Sequence, residues 1–160
     1  MFFQSRKKLR LEGYDYNTAG AYFVTVCTAD RKPLLCTIPR VGADDHIGPS
    51  VQLTEIGAVV DKYIRMIPGI DQYVIMPNHV HMIIFIPQEG TVKTPSLPQG
   101  NIQTRIRTWK TLISKEVGRA VWQRSYYDHV IRNERDYVEK AQYILNNPAK
   151  WCEDQYYLGF

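Results

Sequence analysis

The chain has 160 residues, of which 44% are hydrophobic and 22% charged, with a formal net charge of +4 and a pI near 8.9. This length and composition are typical of one globular domain that buries its own core, and they exclude a need for disulfides or structural zinc in folding. The mildly basic charge permits a polyanionic partner without identifying one.

Three features predict a cytoplasmic protein without a membrane partner. The first residues, MFFQSRKKLRLEG, are basic and lack the apolar core of a signal peptide. No apolar run approaches the ~20 residues of a membrane-spanning helix. The three cysteines, Cys27, Cys36 and Cys152, are widely spaced and form no CxxC pair, which is typical of a reducing compartment.

The first half of the chain predicts strands around one helix. The strands are indicated by segments rich in β-branched and aromatic residues: 21–28, 34–38, 72–76 and 79–86. Between the second and third of them, Thr54 is typical of a helix N-cap, and apolar residues recur at helical spacing until Pro68-Gly69.

The second half predicts a loop, two helices and one strand. Residues 88–100 contain two prolines and two glycines without periodicity, which is typical of a mobile loop. An amphipathic helix is predicted over 101–117 and a strand with a preceding turn within 121–131. Asn133 would cap a last helix, which would end near Asn147 because the residue before a proline avoids the α region.

The order of these elements predicts the fold class. Strand, helix, strand, strand, helix, strand is the β-α-β-β-α-β series of a ferredoxin-like antiparallel sheet with helices on one face. A seventh element, the last helix, follows it. We therefore expect an α+β fold in which residues 1–160 form one domain, with residues 1–12 as a basic N-terminal arm.

Two histidines stand on the strand predicted over 79–86. Because side chains alternate along a strand, His79 and His81 point the same way, roughly 6–7 Å apart, and can chelate one divalent cation. Four apolar residues of the strand would face the other way, into the core: Val80, Met82, Ile84 and Ile86. A chance pair is the alternative, although two unbonded imidazoles on an apolar strand would cost desolvation energy. A histidine-triad nucleotide hydrolase would need a third histidine where Ile83 stands.

The last predicted helix carries Tyr143 and Asn147 one turn apart on one face. On the other face we expect three apolar residues to pack on the sheet: Val138, Ala141 and Leu145. A tyrosine and an amide in this spacing are ordinary by themselves. Together with the histidine pair, the Asn147 amide oxygen would complete a three-residue metal site, and Tyr143 would attack a phosphate bound there.

Four blocks of sequence resemble the single-tyrosine HUH transposases, most closely the bacterial REP-associated tyrosine transposases. They are GYDYNTAGAYFVTVCTADR at 13–31, YVIMPNHVHMII at 73–84, VWQRSYYDHVIRNERD at 121–136 and YILNNPAKW at 143–151. The resemblance covers nearly the whole chain, from about residue 10 to 155. It implies a ferredoxin-like fold with the tyrosine helix beside the histidine strand.

The resemblance also implies a site and a reaction. It makes His79, His81 and Asn147 the ligands of Mg²⁺ or Mn²⁺ and Tyr143 the nucleophile. The family cleaves single-stranded DNA beside hairpins and forms a 5′-phosphotyrosine that another DNA end can reverse. It includes dimers that share their sites and REP-associated monomers, so a homodimer and a monomer both stay open. Such an enzyme would be cytoplasmic and associated with the nucleoid when bound to DNA.

Several basic residues are candidates for the DNA interface. The predicted phosphate contacts are basic residues of the N-terminal arm and of the helix over 101–117: Arg6, Lys7, Lys8, Arg10, Arg105, Arg107 and Lys110. Solvated helix faces have the same composition. His129 is a candidate neighbour of the site, whereas structural roles are favoured for Tyr126, Tyr127 and Tyr137.

Two alternative functions remain at this level. A domesticated relative would bind hairpin DNA without cutting it, although the intact set His79, His81, Tyr143 and Asn147 argues against an unused site. A zinc hydrolase of small substrates would form no covalent tyrosine adduct. A metal-dependent DNA nuclease and strand transferase is the function we expect.

Overall fold

Four antiparallel strands form the central sheet of the protein. The computed structural model describes residues 13–39, 50–88 and 100–159. Within them the elements are β1 (Gly20–Cys27), β2 (Cys36–Thr37), β3 (Gln52–Leu53), α1 (Glu55–Ile64), β4 (Ile70–Ile75), β5 (His79–Ile86), α2 (Ile102–Val117), β6 (Tyr127–Ile131) and α3 (Glu134–Asn146). The basic arm over 1–12 and nearly all of the loop over 88–100 lie outside the described residues.

The sheet has the strand order β4-β5-β1-β6, and every neighbouring pair is antiparallel. This is the order of a ferredoxin-like sheet, so the predicted fold class is confirmed. The two central strands, β1 and β5, pair along their whole length. In their register Thr25 lies opposite His81 and Cys27 lies opposite His79. The histidine pair therefore lies on a central strand of the sheet, where β1 ends and β5 begins.

The two faces of the sheet carry cores of unequal size. Helices α1 and α2 cover one face, where Trp109 is completely buried among aliphatic side chains of the sheet. The predicted inward-facing residues of β5 all belong to this core: Val80, Met82, Ile84 and Ile86. Helix α3 packs on the opposite face, over a small cluster of Phe23, Ile83 and Ile144. The sheet is therefore covered on both faces, and α3 shares its face with the histidines.

The rotation of α3 differs from the prediction. Leu145 is 76% exposed and Val138 43% exposed, so neither packs on the sheet. The stripe that packs there is Tyr137, Ala141 and Ile144, at spacings of four and three residues. The helix carries apolar residues on more than one side, and its periodicity therefore did not determine which side meets the sheet.

The ends of the helices follow the predicted caps, with one exception. The Thr54 hydroxyl accepts a hydrogen bond from the Gly57 N–H, and the Asn133 side chain accepts one from the Asp136 N–H. Helix α3 ends at Asn146, but Asn147 keeps helical angles, with φ −59° and ψ −43°, although a proline follows. The predicted reason for the end was therefore wrong. The chain continues through a turn into a 3-10 segment, Trp151–Glu153.

No helix within the described ranges is long and apolar enough to cross a membrane.

The three cysteines are free thiols in unlike surroundings, which predicts unequal reactivity. Burial raises the pKa of Cys27 to about 11 and that of Cys36 to about 12, while Cys152 is exposed. Because the thiolate is the reactive form, we expect one thiol per chain to react rapidly with Ellman's reagent at pH 7.5. Unfolding should release the other two. Rapid reaction of all three in the folded protein would contradict this assignment.

Candidate functional site

His79 and His81 lie side by side on β5, on the face of the sheet that α3 covers. They are 0% and 1% exposed, and their ring centroids are 4.5 Å apart. Their strand is one of the two central strands of the sheet, and each histidine pairs with a residue of β1. The predicted convergence of the two side chains is therefore present in the structure.

One nitrogen of each imidazole is held by a neighbour, and the other is not. Nδ1 of His79 donates to Oδ1 of Asn78 at 2.8 Å, an orientation fixed because the Asn78 amide nitrogen donates to the carbonyl of Tyr156. Nδ1 of His81 lies 2.7 Å from the hydroxyl of Thr25. Both Nε2 atoms are buried and lack a hydrogen-bond partner in the described parts of the chain. They are free to accept a cation.

The histidines are neutral at physiological pH. Burial lowers the pKa of His81 to about 3. Burial also lowers the pKa of His79 well below its usual value, with a further contribution from His81. A neutral imidazole keeps the lone pair that metal coordination requires. Burial therefore keeps both imidazoles in the protonation state that can bind a metal ion.

Helix α3 and the turn after it bring Asn147 to the histidines. Its side chain is 4% exposed, and its amide oxygen is a third buried atom without a hydrogen-bond partner among the described residues. Asn147 keeps helical backbone angles, and its side chain is buried. His79, His81 and Asn147 thus each offer one buried atom without a hydrogen bond as a metal ligand. This set of two nitrogens and one oxygen fits a divalent cation.

Asp154 joins this cluster and was not predicted. Its Oδ2 lies 3.9 Å from Nε2 of His79 and accepts a hydrogen bond from Nδ2 of Asn147 at 3.0 Å. Ligand atoms of His79, His81 and Asp154 all lie within 4.8 Å of one another, so these residues could hold a metal ion. The segment WCEDQYY has no periodicity, so no sequence pattern indicates that it returns to the sheet.

Two of the eleven tyrosines contact the histidine pair. The ring of Tyr143 lies 5.1 Å from that of His81, edge to face, and the side chain is 40% exposed. The ring of Tyr156 lies 4.5 Å from that of His79. Burial raises the pKa of both phenols, that of Tyr156 to about 12, and the nearby Asp154 carboxyl adds to the effect on Tyr143. Sequence reasoning identified Tyr143 and missed Tyr156.

Arg31 places a cation at the edge of the cluster. Its guanidinium carbon lies 5.4 Å from the centre of the Tyr156 ring, and the residue is exposed. Asp30 and Arg31 both adopt left-handed backbone angles, with φ near 53° and 52°. Such angles are unfavourable for residues other than glycine and cluster at functional sites.

His129 does not belong to the cluster. It lies on β6, opposite Phe23 of β1, and its Nε2 is 2.8 Å from Oδ2 of Asp136 in the first turn of α3. Asp136 precedes Tyr143 by seven residues, or roughly 10 Å along the helix axis. The pair therefore joins the start of α3 to the sheet. Tyr137 likewise has a structural contact, donating to Asp71.

The predicted phosphate contacts on α2 divide into buried and exposed residues. Arg105 is 3% exposed, and its guanidinium donates to the carbonyls of Gly100 and Pro68, so it cannot reach a phosphate. That prediction was wrong. Lys110 is half-buried and donates to the carbonyls of Gln123 and Arg124. Arg107 is exposed, while the four basic residues predicted in the N-terminal arm lie outside the described residues.

This difference predicts opposite effects for two neighbouring substitutions. Arg105→Ala should lower the free energy of unfolding by about 2–3 kcal/mol, because it leaves two carbonyls without their donor. Arg107→Ala should change stability by less than ~0.5 kcal/mol, because the side chain is exposed. If Arg107 contacts a phosphate as the sequence predicts, the substitution should also lower by about one the slope of log affinity for DNA against log salt concentration. Urea unfolding and DNA titrations at several salt concentrations would measure both. Weaker DNA binding by a fully stable Arg105→Ala protein would contradict the structural role.

Comparisons with known proteins place the chain among relatives of matching length. No family model matches it. An uncharacterized protein of Haemophilus influenzae is 33% identical, covering 96% of this chain and 93% of the relative. The REP-associated tyrosine transposase of Escherichia coli is 28% identical, covering 84% of this chain and 70% of the relative.

A solved structure also matches. It is the structure of a REP-associated tyrosine transposase bound to a REP hairpin. It superposes with a TM-score of 0.57 at 25% sequence identity, covering 89% of this chain and 74% of that chain.

Proposed function

The chain belongs to the family of REP-associated tyrosine transposases, and we propose that it is a metal-dependent endonuclease and strand transferase for single-stranded DNA at hairpins. Its nucleophile would be Tyr143, and its product a covalent 5′-phosphotyrosine. The DNA hairpin in the related structure supports this class of substrate. The enzyme would act in the bacterial cytoplasm as one domain, associated with the nucleoid when bound to DNA.

The observation that carries the proposal is the set of unpaired buried atoms. Nε2 of His79, Nε2 of His81 and Oδ1 of Asn147 lie in the protein interior without partners in the described ranges. Each unsatisfied buried polar group costs about 1–3 kcal/mol. Native proteins retain such groups where a ligand satisfies them. These residues would hold a divalent ion, which when bound polarises and orients the phosphate as a Lewis acid.

Tyr143 would carry out the covalent step of the reaction. The Tyr143 oxygen would attack phosphorus and form the phosphotyrosine bond, while the bond to the 3′ oxygen breaks and frees a 3′ hydroxyl. The phenol is protonated at neutral pH, since burial and Asp154 raise its pKa, and the proton that it loses on attack balances the proton that the departing 3′ oxygen gains. The new ester conserves the energy of the broken bond. A second DNA end can therefore displace Tyr143 without ATP.

Basic side chains near the cluster and on α2 support a polyanionic substrate. Arg31 stands at the edge of the histidine cluster. A groove of about 630 Å³ runs along α2, with Arg107, Lys110, Arg124 and Tyr126 in its lining. Cationic grooves that include aromatic rings suit nucleic acid with unpaired bases. We assign the basic side chains to the phosphate backbone of the DNA.

The proposal is tested with labelled hairpin DNA that carries single-stranded flanks. In the presence of Mn²⁺ we expect a protein–DNA adduct that survives denaturation, together with a released strand. Chelation by EDTA should abolish the adduct. Binding of the hairpin without an adduct would instead identify a DNA-binding protein. Absence of both would leave a hydrolase of small substrates as the better reading of the site.

A further inference from the structure

Asp154 has surroundings that are unusual for a carboxylate. Its side chain is 2% exposed, and the only basic side chain within 4 Å of it in the described ranges is His79. At 3.9 Å this contact is too long for a hydrogen bond. Because a buried carboxylate is costly without a cation, its position beside three unpaired donor atoms points to a missing positive charge.

The hydrogen bonds of Asp154 fix both its own position and that of its neighbour. Oδ1 accepts from the N–H of Tyr156 at 2.7 Å, which anchors the carboxylate to the backbone. Oδ2 accepts from Nδ2 of Asn147 at 3.0 Å. An amide that donates with its nitrogen to Asp154 must present its oxygen elsewhere. That oxygen is the buried atom without a partner.

We propose that Asp154 is a fourth ligand of the metal site and that it also orients Asn147 so that the amide oxygen faces the ion. This inference rests on the metal site of the proposed function. The donor set would then consist of two imidazole nitrogens, one amide oxygen and one carboxylate oxygen. The site would carry a negative charge, whereas His79, His81 and Asn147 alone are neutral.

The charge and the oxygen donors determine which ions the site prefers. Carboxylate and carbonyl oxygens suit Mg²⁺ and Mn²⁺, whereas imidazoles also bind later transition metals. Without Asp154 the two histidines would dominate, and the preference would shift towards Zn²⁺ or Ni²⁺. Asp154 thus accounts for a histidine-containing site that selects a hard cation. It also ties ion binding to the 3-10 segment after α3.

The test measures Mn²⁺ binding to the full-length protein by isothermal titration calorimetry without DNA. D154N keeps an oxygen that can accept from Asn147 but removes the charge, and we expect it to weaken Mn²⁺ binding by roughly 10–100-fold. Zn²⁺ binding should fall by less. D154A removes the orienting hydrogen bond as well and should bind Mn²⁺ at least as weakly as D154N does.

Glu153→Gln is the matched control, because it removes the same charge from the adjacent, exposed position. It should keep the Mn²⁺ affinity within about twofold. Melting temperatures in EDTA would verify that each variant folds, and the near-isosteric D154N suffices if D154A does not. Wild-type Mn²⁺ affinity in D154N, or no Mn²⁺ binding by the wild type, overturns the inference. Loss of the DNA adduct with Mn²⁺ binding intact would instead refute the proposed function alone.

Discussion

Replacing Tyr143 with phenylalanine should abolish the covalent protein–DNA adduct and reduce strand cleavage by at least about a thousandfold. The substitution removes only the oxygen that would attack phosphorus. The ring contacts with His81 and Phe23 are retained, because they need no hydroxyl. Folding, metal binding and DNA binding should therefore persist. The measurement is denaturing electrophoresis of labelled hairpin DNA with Mn²⁺, using equal amounts of folded protein.

Two other tyrosines test whether this assignment is specific. Tyr137→Phe changes the same helix two turns earlier and removes only a hydrogen bond to Asp71, so the adduct should form as in the wild type. Tyr156→Phe tests the rival nucleophile, since its ring lies against His79. We expect an adduct from this variant too. An adduct that survives in Tyr143→Phe and disappears in Tyr156→Phe would move the nucleophile to the segment after α3.

Saturating Mn²⁺ should raise the melting temperature of the wild-type protein by roughly 5–10 °C and leave that of His81→Ala unchanged. An ion at a hundred times its Kd stabilises the folded state by about 2.7 kcal/mol. For a chain of this size, each kcal/mol shifts the melting temperature by roughly 2–4 °C. His81→Ala removes one of the unpaired nitrogens that would bind the ion. Differential scanning fluorimetry in EDTA and in Mn²⁺ would give the shift for each protein.

The comparison between EDTA and Mn²⁺ separates metal binding from packing. His81→Ala also leaves a small cavity beside Thr25, so its melting temperature in EDTA should fall through lost packing alone. Only the shift caused by the ion is informative. His129→Ala is the control, because this histidine pairs with Asp136 away from the cluster and should keep the full shift. An equal shift in His81→Ala would place the ion elsewhere.

The sequence predicted the sheet and the histidine pair because both depend on local alternation. Residues two apart on a strand share a face whatever the neighbouring strands are, so the sequence alone predicts that His79 and His81 point the same way. The rotation of α3 was not predictable in this way. Ile144 packs on the sheet rather than Leu145, a difference of one residue that depends on the shape of the sheet beneath.

Residues whose roles depend on distant segments were missed or misassigned. Arg105 resembles an exposed helix residue in sequence, but the turn at Pro68, 37 residues away, supplies a carbonyl that binds its guanidinium. Asp154 and Tyr156 lie in a segment without periodicity that folds back onto β5. Periodicity predicted that Tyr143 and Asn147 lie one turn apart at the end of one helix. Only the family resemblance predicted that this helix lies beside the histidine strand.

The histidine strand and helix α3 pack against hydrophobic cores of unequal size. The histidines lie on β5, which pairs with β1 over eight residues, and both strands contribute to the large core under α1 and α2. Helix α3 is held to the sheet by a cluster with only three buried side chains, Phe23, Ile83 and Ile144. Its amides should therefore exchange with deuterium through local openings of lower free energy than those of the central strands. An opening of α3 would carry Tyr143 and Asn147 away from His79 and His81 together, so the proposed nucleophile and one proposed ion ligand would move while the histidines stay on the sheet.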